Sequence, residues 1–205
     1  KRYDFKIEGM KTLLIIDVQN DFLPGGSLAV PEGNLIIERI NSIMENYDLI
    51  VATKDWHPKN HISFASSHQD KKVGDSIKVN ENTQILWPDH CIQNEIGSEF
   101  PKQLNSDKIN KIIYKGSDKN IDSYSGFYDN DKKLSTELND YLKNKRVEKV
   151  DCVGLATEYC VKFTAIDSIR EGFYTRVISK CTKGLKEEDI KTSLDEMRSL
   201  GIVVI

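Results

Sequence analysis

Lys149 to Ser179 reads KVDCVGLATEYCVKFTAIDSIREGFYTRVIS, and this stretch decides the fold. Lys149 to Val153 is a short apolar run that reads as a buried strand. Glu158 to Arg170 follows as a helix, closed by Gly172, which suits the left-handed position that commonly ends a helix. Thr175 to Ser179 is again β-branched and apolar, a second strand. Strand, helix and strand within about 30 residues is the unit in which a crossover helix joins two parallel strands.

The same alternation continues outward. Towards the end of the chain, Glu187 to Leu200 reads as a helix with acids in its first turn and Arg198 in its last, which complements the helix dipole. Gly201 stops it, and Ile202 to Ile205 is a further strand. Towards the start, Lys111 to Tyr114 is a strand and Leu134 to Lys143 a helix. Thr12 to Asp17 (TLLIID) and Leu49 to Thr53 (LIVAT) are buried strands. Between them, Asn34 to Tyr47 carries Ile36, Ile40, Ile43, Met44 and Tyr47 at the spacing of an amphipathic helix. Strands that are apolar throughout, alternating with helices, predict a parallel sheet covered on both faces. Right-handed crossovers then give a three-layer α/β/α fold with a six-stranded, mostly parallel sheet.

With 205 residues, the chain suits one domain, expected from Met10 to Ile205, with Lys1 to Gly9 as a short N-terminal extension. Hydrophobic residues are 39% and charged residues 30%, a globular balance, and the net charge of -3 leaves no electrostatic footprint for nucleic acid. No apolar run approaches the ~20 residues of a membrane helix, and Lys1 to Gly9 is too polar for a secretory leader. The 4 cysteines, Cys91, Cys152, Cys160 and Cys181, form no C-x-x-C pair, so reduced thiols in a cytoplasm are expected rather than a disulfide framework.

Ligands of open parallel sheets bind outside the carboxyl ends of the strands. There the chain places Asp17, then Thr53, Lys54, Asp55 and His57, then Lys115, then Gly154 to Thr157 with Cys160 just beyond. Taking Thr157 as N-cap puts Cys160 at the third helical position, where backbone N–H groups and the dipole would lower a thiol pKa. A lone helical cysteine is more often a small buried residue. Asp17 is suited to accept a proton from that thiol, although acids at strand ends often serve only as caps. Lys115 offers a fixed positive charge, against the plain alternative of a solvated lysine. Asp55 and His57 lie two apart on an extended segment, so both side chains point to one side. Carboxylate and imidazole suit zinc, iron or manganese, and His90 would complete a set with open positions. A single D-x-H is more often a polar loop. His61 and His68 are further candidates that spacing does not separate. Cys91, beside His90, points away from it on an extended chain. The polar stretch Asp55 to Ser106 is long for a loop inside a compact domain, which marks it as functional.

DVQNDF (Asp17 to Phe22), PGGSLAVP (Pro24 to Pro31), DWHP with HISF (Asp55 to Phe64), WPDHC (Trp87 to Cys91), KG with YSGF (Lys115 to Phe127) and GLATEYCVKFTA (Gly154 to Ala165) occur in that order. Together they resemble the nicotinamidase branch of the isochorismatase-like hydrolase superfamily, from about Thr12 to Ile205. The resemblance implies a metal-dependent amidohydrolase that converts nicotinamide to nicotinate and ammonia through a thioester, in NAD salvage. It implies a catalytic triad of Asp17, Lys115 and Cys160, and an oxyanion hole from the backbone N–H groups of Ala156 and Cys160. It implies one divalent ion on Asp55, His57 and His90, zinc first and iron or manganese next, with His61 left open as a further ligand. Phe22, Trp87 and Tyr124 match residues that line the slot for a pyridine ring, and the Leu155–Ala156 bond is expected to be cis. The expected partner is the small-molecule substrate, with neither nucleic acid nor membrane, and a homo-oligomer is allowed. Two other readings stand beside this one: a related amidase acting on another small amide, and a metal-containing binding protein without activity.

Overall fold

The computed structural model describes residues 9–205; Lys1 to Glu8, most of the expected extension, lie outside the described residues. The first strand, β1 (Lys11–Ile16), shows how the sheet is built. Its side chains alternate: Leu13 and Ile15 enter one apolar cluster, Leu14 and Ile16 the other. All four are fully buried, which is why the run is apolar without alternation. The same holds for β2 (Leu49–Asp55) and for β6 (Lys149–Leu155).

The 6-stranded sheet has the order β5-β2-β1-β6-β7-β8, where β5 is Lys111–Lys115, β7 is Tyr174–Lys183 and β8 is Val203–Val204. Every neighbouring pair is parallel. Helix α1 (Leu35–Ile43) buries Ile36, Ile37 and Ile40 in the cluster on one face. Helices α2 (Leu138–Asn144), α3 (Lys162–Arg170) and α4 (Glu187–Ser199) contribute Leu138, Leu142, Ala165, Ile166 and Met197 to the cluster on the other. The expected α/β/α sandwich is therefore present. Among the described residues, no helix is long and apolar enough to cross a membrane.

Several local expectations need correction. The first helix ends at Ile43, and Met44–Asn46 continues as a 3-10 turn. The second helix begins at Leu138, not Leu134. The Asp129 carboxylate accepts the backbone N–H groups of Lys133 and Leu134 at 3.0 and 2.9 Å, and Tyr128 pairs with Ser135, so those residues are held in a turn. The polar stretch after Asp55 contains an antiparallel hairpin, β3 (Ser76–Val79) and β4 (Asn82–Ile85), whose short, largely polar strands carry little hydrophobic signal. Finally, β7 extends to Lys183. Its register against β6 shifts between Cys152 and Gly154, after which Thr182 and Lys183 pair with Gly154 and Leu155. Gly154 has φ +123, and a Cβ there would overlap the Ile16 carbonyl, so β6 approaches β1 as only glycine permits.

Candidate active site

Because the strands are parallel, the residues at their carboxyl ends share one edge of the sheet. Asp17 follows β1 with φ +51, a backbone rarely adopted by non-glycine residues. Its N–H faces the Thr53 carbonyl and hydroxyl, both at 3.2 Å. The Thr53 hydroxyl donates to Asp17 Oδ1 at 2.6 Å. Asp17 Oδ2 forms a buried ion pair with Lys115 Nζ at 2.8 Å. That ammonium also donates to the Ser123 carbonyl at 2.9 Å, contacts Asp55 Oδ1, and stands 3.4 Å from Cys160 Sγ. The expected acid, lysine and thiol are thus brought together, all buried.

Burial alone would drive Lys115 towards neutrality, but the Asp17 and Asp55 carboxylates outweigh it and hold the ammonium charged well above the usual lysine range. Burial raises the pKa of Asp17 against the opposing pull of Lys115, which leaves it a stronger base than an exposed aspartate. Cys160 reverses the sequence expectation. Burial pushes its thiol well above the ordinary range, Lys115 opposes this, and the Asp17 and Asp55 charges add to the rise. The local backbone gives part of the reason. Thr157–Val161 forms a π-helical turn capped by Ala156, with the Val161 N–H bonded to the Ala156 carbonyl at 3.1 Å. Thr157 is not a cap: its hydroxyl is buried without a partner. Cys160 therefore sits inside a π turn, a feature common at functional sites, and not in the first turn of α3. The Leu155–Ala156 bond is cis, as the resemblance implied.

Asp55, His57 and His90 offer ligand atoms that all lie within 4.8 Å of one another. Asp55 Oδ2 is 3.5 Å from His57 Nε2 and 3.6 Å from His90 Nε2. Each imidazole turns its other nitrogen to a backbone carbonyl: His57 Nδ1 to Gly116 at 2.8 Å and His90 Nδ1 to Pro88 at 2.7 Å. Donation there leaves both Nε2 lone pairs free and inward, the outer-shell arrangement of metal-ligating histidines. His57 Nε2 is buried without a hydrogen-bond partner. A divalent cation fits that unsatisfied atom and donor set. Gly116 makes the approach possible, since at φ +65 a Cβ would overlap the His57 ring. His61 is close, its ring 4.1 Å from that of His57, but both of its nitrogens are engaged, by Ser63 at 2.7 Å and the Ile121 carbonyl at 3.2 Å. His68 bonds the Ile62 carbonyl at 2.7 Å instead.

Phe22, Trp87 and Tyr124 line one cavity with Cys160, Ala156 and His90. Trp87 Nε1 donates to the Tyr124 hydroxyl at 3.3 Å. Cys91, Cys152 and Cys181 lie in the two apolar clusters. Sequence reasoning missed several contributors. Gln19 donates to the Asp55 and Ser98 carbonyls at 2.8 and 2.9 Å and accepts the Asp55 N–H at 2.9 Å, so one amide brackets the main chain of a proposed ligand. Its position inside DVQNDF was the available signal. Thr53 had a signal too, lying two residues before Asp55 on the same strand face. Asp122, Tyr159 and Leu185 also line the cavity, and nothing local in the sequence marked them.

The Isochorismatase domain family model matches residues 11–205. A nicotinamidase from Acinetobacter baylyi is 42% identical over 93% of this chain and 89% of its own length. Among solved structures, a nicotinamidase/pyrazinamidase from Acinetobacter baumanii superposes with a TM-score of 0.94 at 40% identity, covering 98% of this chain and 97% of that one. A Pyrococcus horikoshii pyrazinamidase in complex with zinc superposes at 0.78 with 38% identity, covering 95% and 97%. Since the match spans all but the first ten residues and the sheet order, cavity and clustered side chains lie within it, the chain belongs to the isochorismatase family.

Proposed function

We propose that this protein is a nicotinamidase, hydrolysing nicotinamide to nicotinate and ammonia with Cys160 as nucleophile. The observation that carries the reading is a buried lysine ammonium held against both the Asp17 carboxylate and the Cys160 sulfur, where Cys160 lines an aromatic cavity together with Asp55 and His90 of a metal-type donor set. The likeness to nicotinamidases supports the choice of amide.

The raised pKa values of Cys160 and Asp17 suit a thiol that rests protonated beside a base able to take its proton. Asp17 Oδ2 accepts that proton as the sulfur attacks the carboxamide carbon, and Lys115 stabilises the charge on both partners. The backbone N–H groups of Ala156 and Cys160 hold the oxyanion, each such donor typically contributing about 3–4 kcal/mol. Protonated Asp17 passes its proton to the nitrogen, ammonia leaves, and a thioester on Cys160 remains. Water, deprotonated by Asp17, hydrolyses the thioester to nicotinate and restores the thiol. Phe22, Trp87 and Tyr124 bound the ring and limit its rotation. Asp55, His57 and His90 would hold a divalent cation, zinc first by the likeness to the zinc-bound pyrazinamidase, which would supply Lewis acidity for anchoring a ring nitrogen.

Ammonia release from nicotinamide and from benzamide tests the reading. Benzamide has the same ring shape without the ring nitrogen, so nicotinamide should turn over far faster. Equal rates would remove the anchoring role, and no release from nicotinamide would remove the function.

A further inference from the structure

Glu158 lies two residues before Cys160 in the same π turn and is only 5% exposed. It does not line the cavity. Oε1 accepts the backbone N–H of Leu185 at 2.6 Å and that of Lys186 at 3.2 Å, across the loop that joins β7 to α4. Oε2 is buried without a partner, against Gly184, where a Cβ would overlap the carboxylate. Gly184 is thus the residue that lets this loop close on Glu158. Hydrogen bonds from N–H groups to an ionised carboxylate are about twice as strong as neutral ones, and a negative charge at the start of α4 is favoured by its dipole.

The loop does more than begin a helix. Leu185 lines the cavity together with Ala156, Tyr159 and Cys160. Part of the lining therefore comes from the turn that carries the nucleophile and part, through Leu185, from the β7–α4 loop, and one buried carboxylate ties the two segments together. We infer that Glu158 is a positioning residue that sets the width of the substrate slot by clamping Leu185 against the Cys160 turn. The inference rests on the proposed nicotinamide hydrolysis for its substrate, and on geometry for the clamp.

The clamp has a readout that a helix cap alone would not move. In Glu158→Ala, the Leu185 and Lys186 amides should exchange with solvent faster, while the Val153 amide in β6 stays protected. With nicotinamide, KM should rise on the order of tenfold with kcat changed by less than about threefold, because loosened positioning removes binding shared by ground and transition states. The ratio of kcat/KM for a ring-methylated nicotinamide to that for nicotinamide should rise in Glu158→Ala and in Leu185→Ala. The double variant should add nothing to Leu185→Ala, since both act through one contact. Glu158→Gln, which keeps an acceptor oxygen in the same place, should restore most of the wild-type KM and guards against a variant that merely folds poorly. A lower melting temperature with unchanged KM and unchanged substrate ratio would overturn the inference, as would effects of the two single changes that multiply in the double. Wild-type protein that released no ammonia would sink the proposed reaction, and amide exchange at Leu185 and Lys186 would still decide the clamp.

Discussion

Lys115 is the residue on which the proposed chemistry and the local stability both turn. Its Nζ reaches Asp17, Asp55, the Ser123 carbonyl and Cys160, with no solvent contact at the side chain. Removing one partner of a buried ion pair leaves an uncompensated charge and costs about 3–5 kcal/mol. Lys115→Met should therefore lose activity and unfold at markedly lower denaturant. Cys160→Ala removes only one sulfur from a packed turn, about 1 kcal/mol of burial, so it should keep the fold and lose turnover entirely. Denaturant melts and ammonia assays on the two variants separate these outcomes. A Cys160→Ala protein with near wild-type rates would end the assignment of the nucleophile. At this scale the chain order singled out Asp17, Lys115, Cys160, Asp55, His57 and His90 as candidates through strand ends and motifs, and the folded chain gathers them within contact distance of one another. It misjudged the thiol. A pKa depends on what surrounds the sulfur, here burial and two carboxylates from other strands, and a residue's own helix position does not report that.

Among the elements, β6 carries the tightest backbone requirement. Gly154→Ala would place a methyl group into the Ile16 carbonyl at a φ of +123, and conformations of that kind cost about 1–3 kcal/mol in strain before any overlap. The variant should melt well below wild type and show reduced activity even when folded, since β6 leads directly into Ala156 and the Cys160 turn. Activity per folded molecule equal to wild type would mean that the β6–β1 approach does not set the turn. Helix α1 supplies a contrast. Ile40→Ala deletes a fully buried side chain from its sheet-facing stripe, a change that typically costs 2–5 kcal/mol, yet it lies away from the cavity. Its Tm should fall while kcat/KM of the folded fraction is kept. The helices and strands that the sequence marks are those with a continuous apolar run or an apolar stripe at helical spacing. The second helix began late because an aspartate captured the preceding N–H groups, and the exposed β3–β4 hairpin went unread because it buries so little.

For the molecule as a whole, a divalent cation held by Asp55, His57 and His90 would couple folding to ligand binding. A metal that binds only the folded protein stabilises it by about 2.7 kcal/mol at a hundredfold excess over Kd. Chelation of metal-loaded protein should therefore lower the Tm, and added zinc should restore it. His90→Ala, lacking one of the three donors, should lose most of that response; an unchanged response would exclude His90 from the site. This thermal readout is independent of activity, so it tests the donor set of Asp55, His57 and His90 even where turnover fails for another reason.

Fold class was legible from residue order because helix and strand periods are local, and a doubly covered parallel sheet follows from apolar strands alternating with amphipathic helices. The edge of the sheet where chemistry gathers was legible for the same reason, since parallel strands all end there. Three-dimensional packing settled the rest. Lys115 lies 98 positions after Asp17 and 45 before Cys160, and their contacts of 2.8 and 3.4 Å depend on strand order and register. Gln19 bracketing Asp55, His61 turned to Ser63 and Ile121, and Glu158 reaching Leu185 are likewise side-chain choices made among competing partners. Such choices depend on distances across the chain, and a buried donor, acceptor or charge takes whatever partner the folded packing leaves within reach.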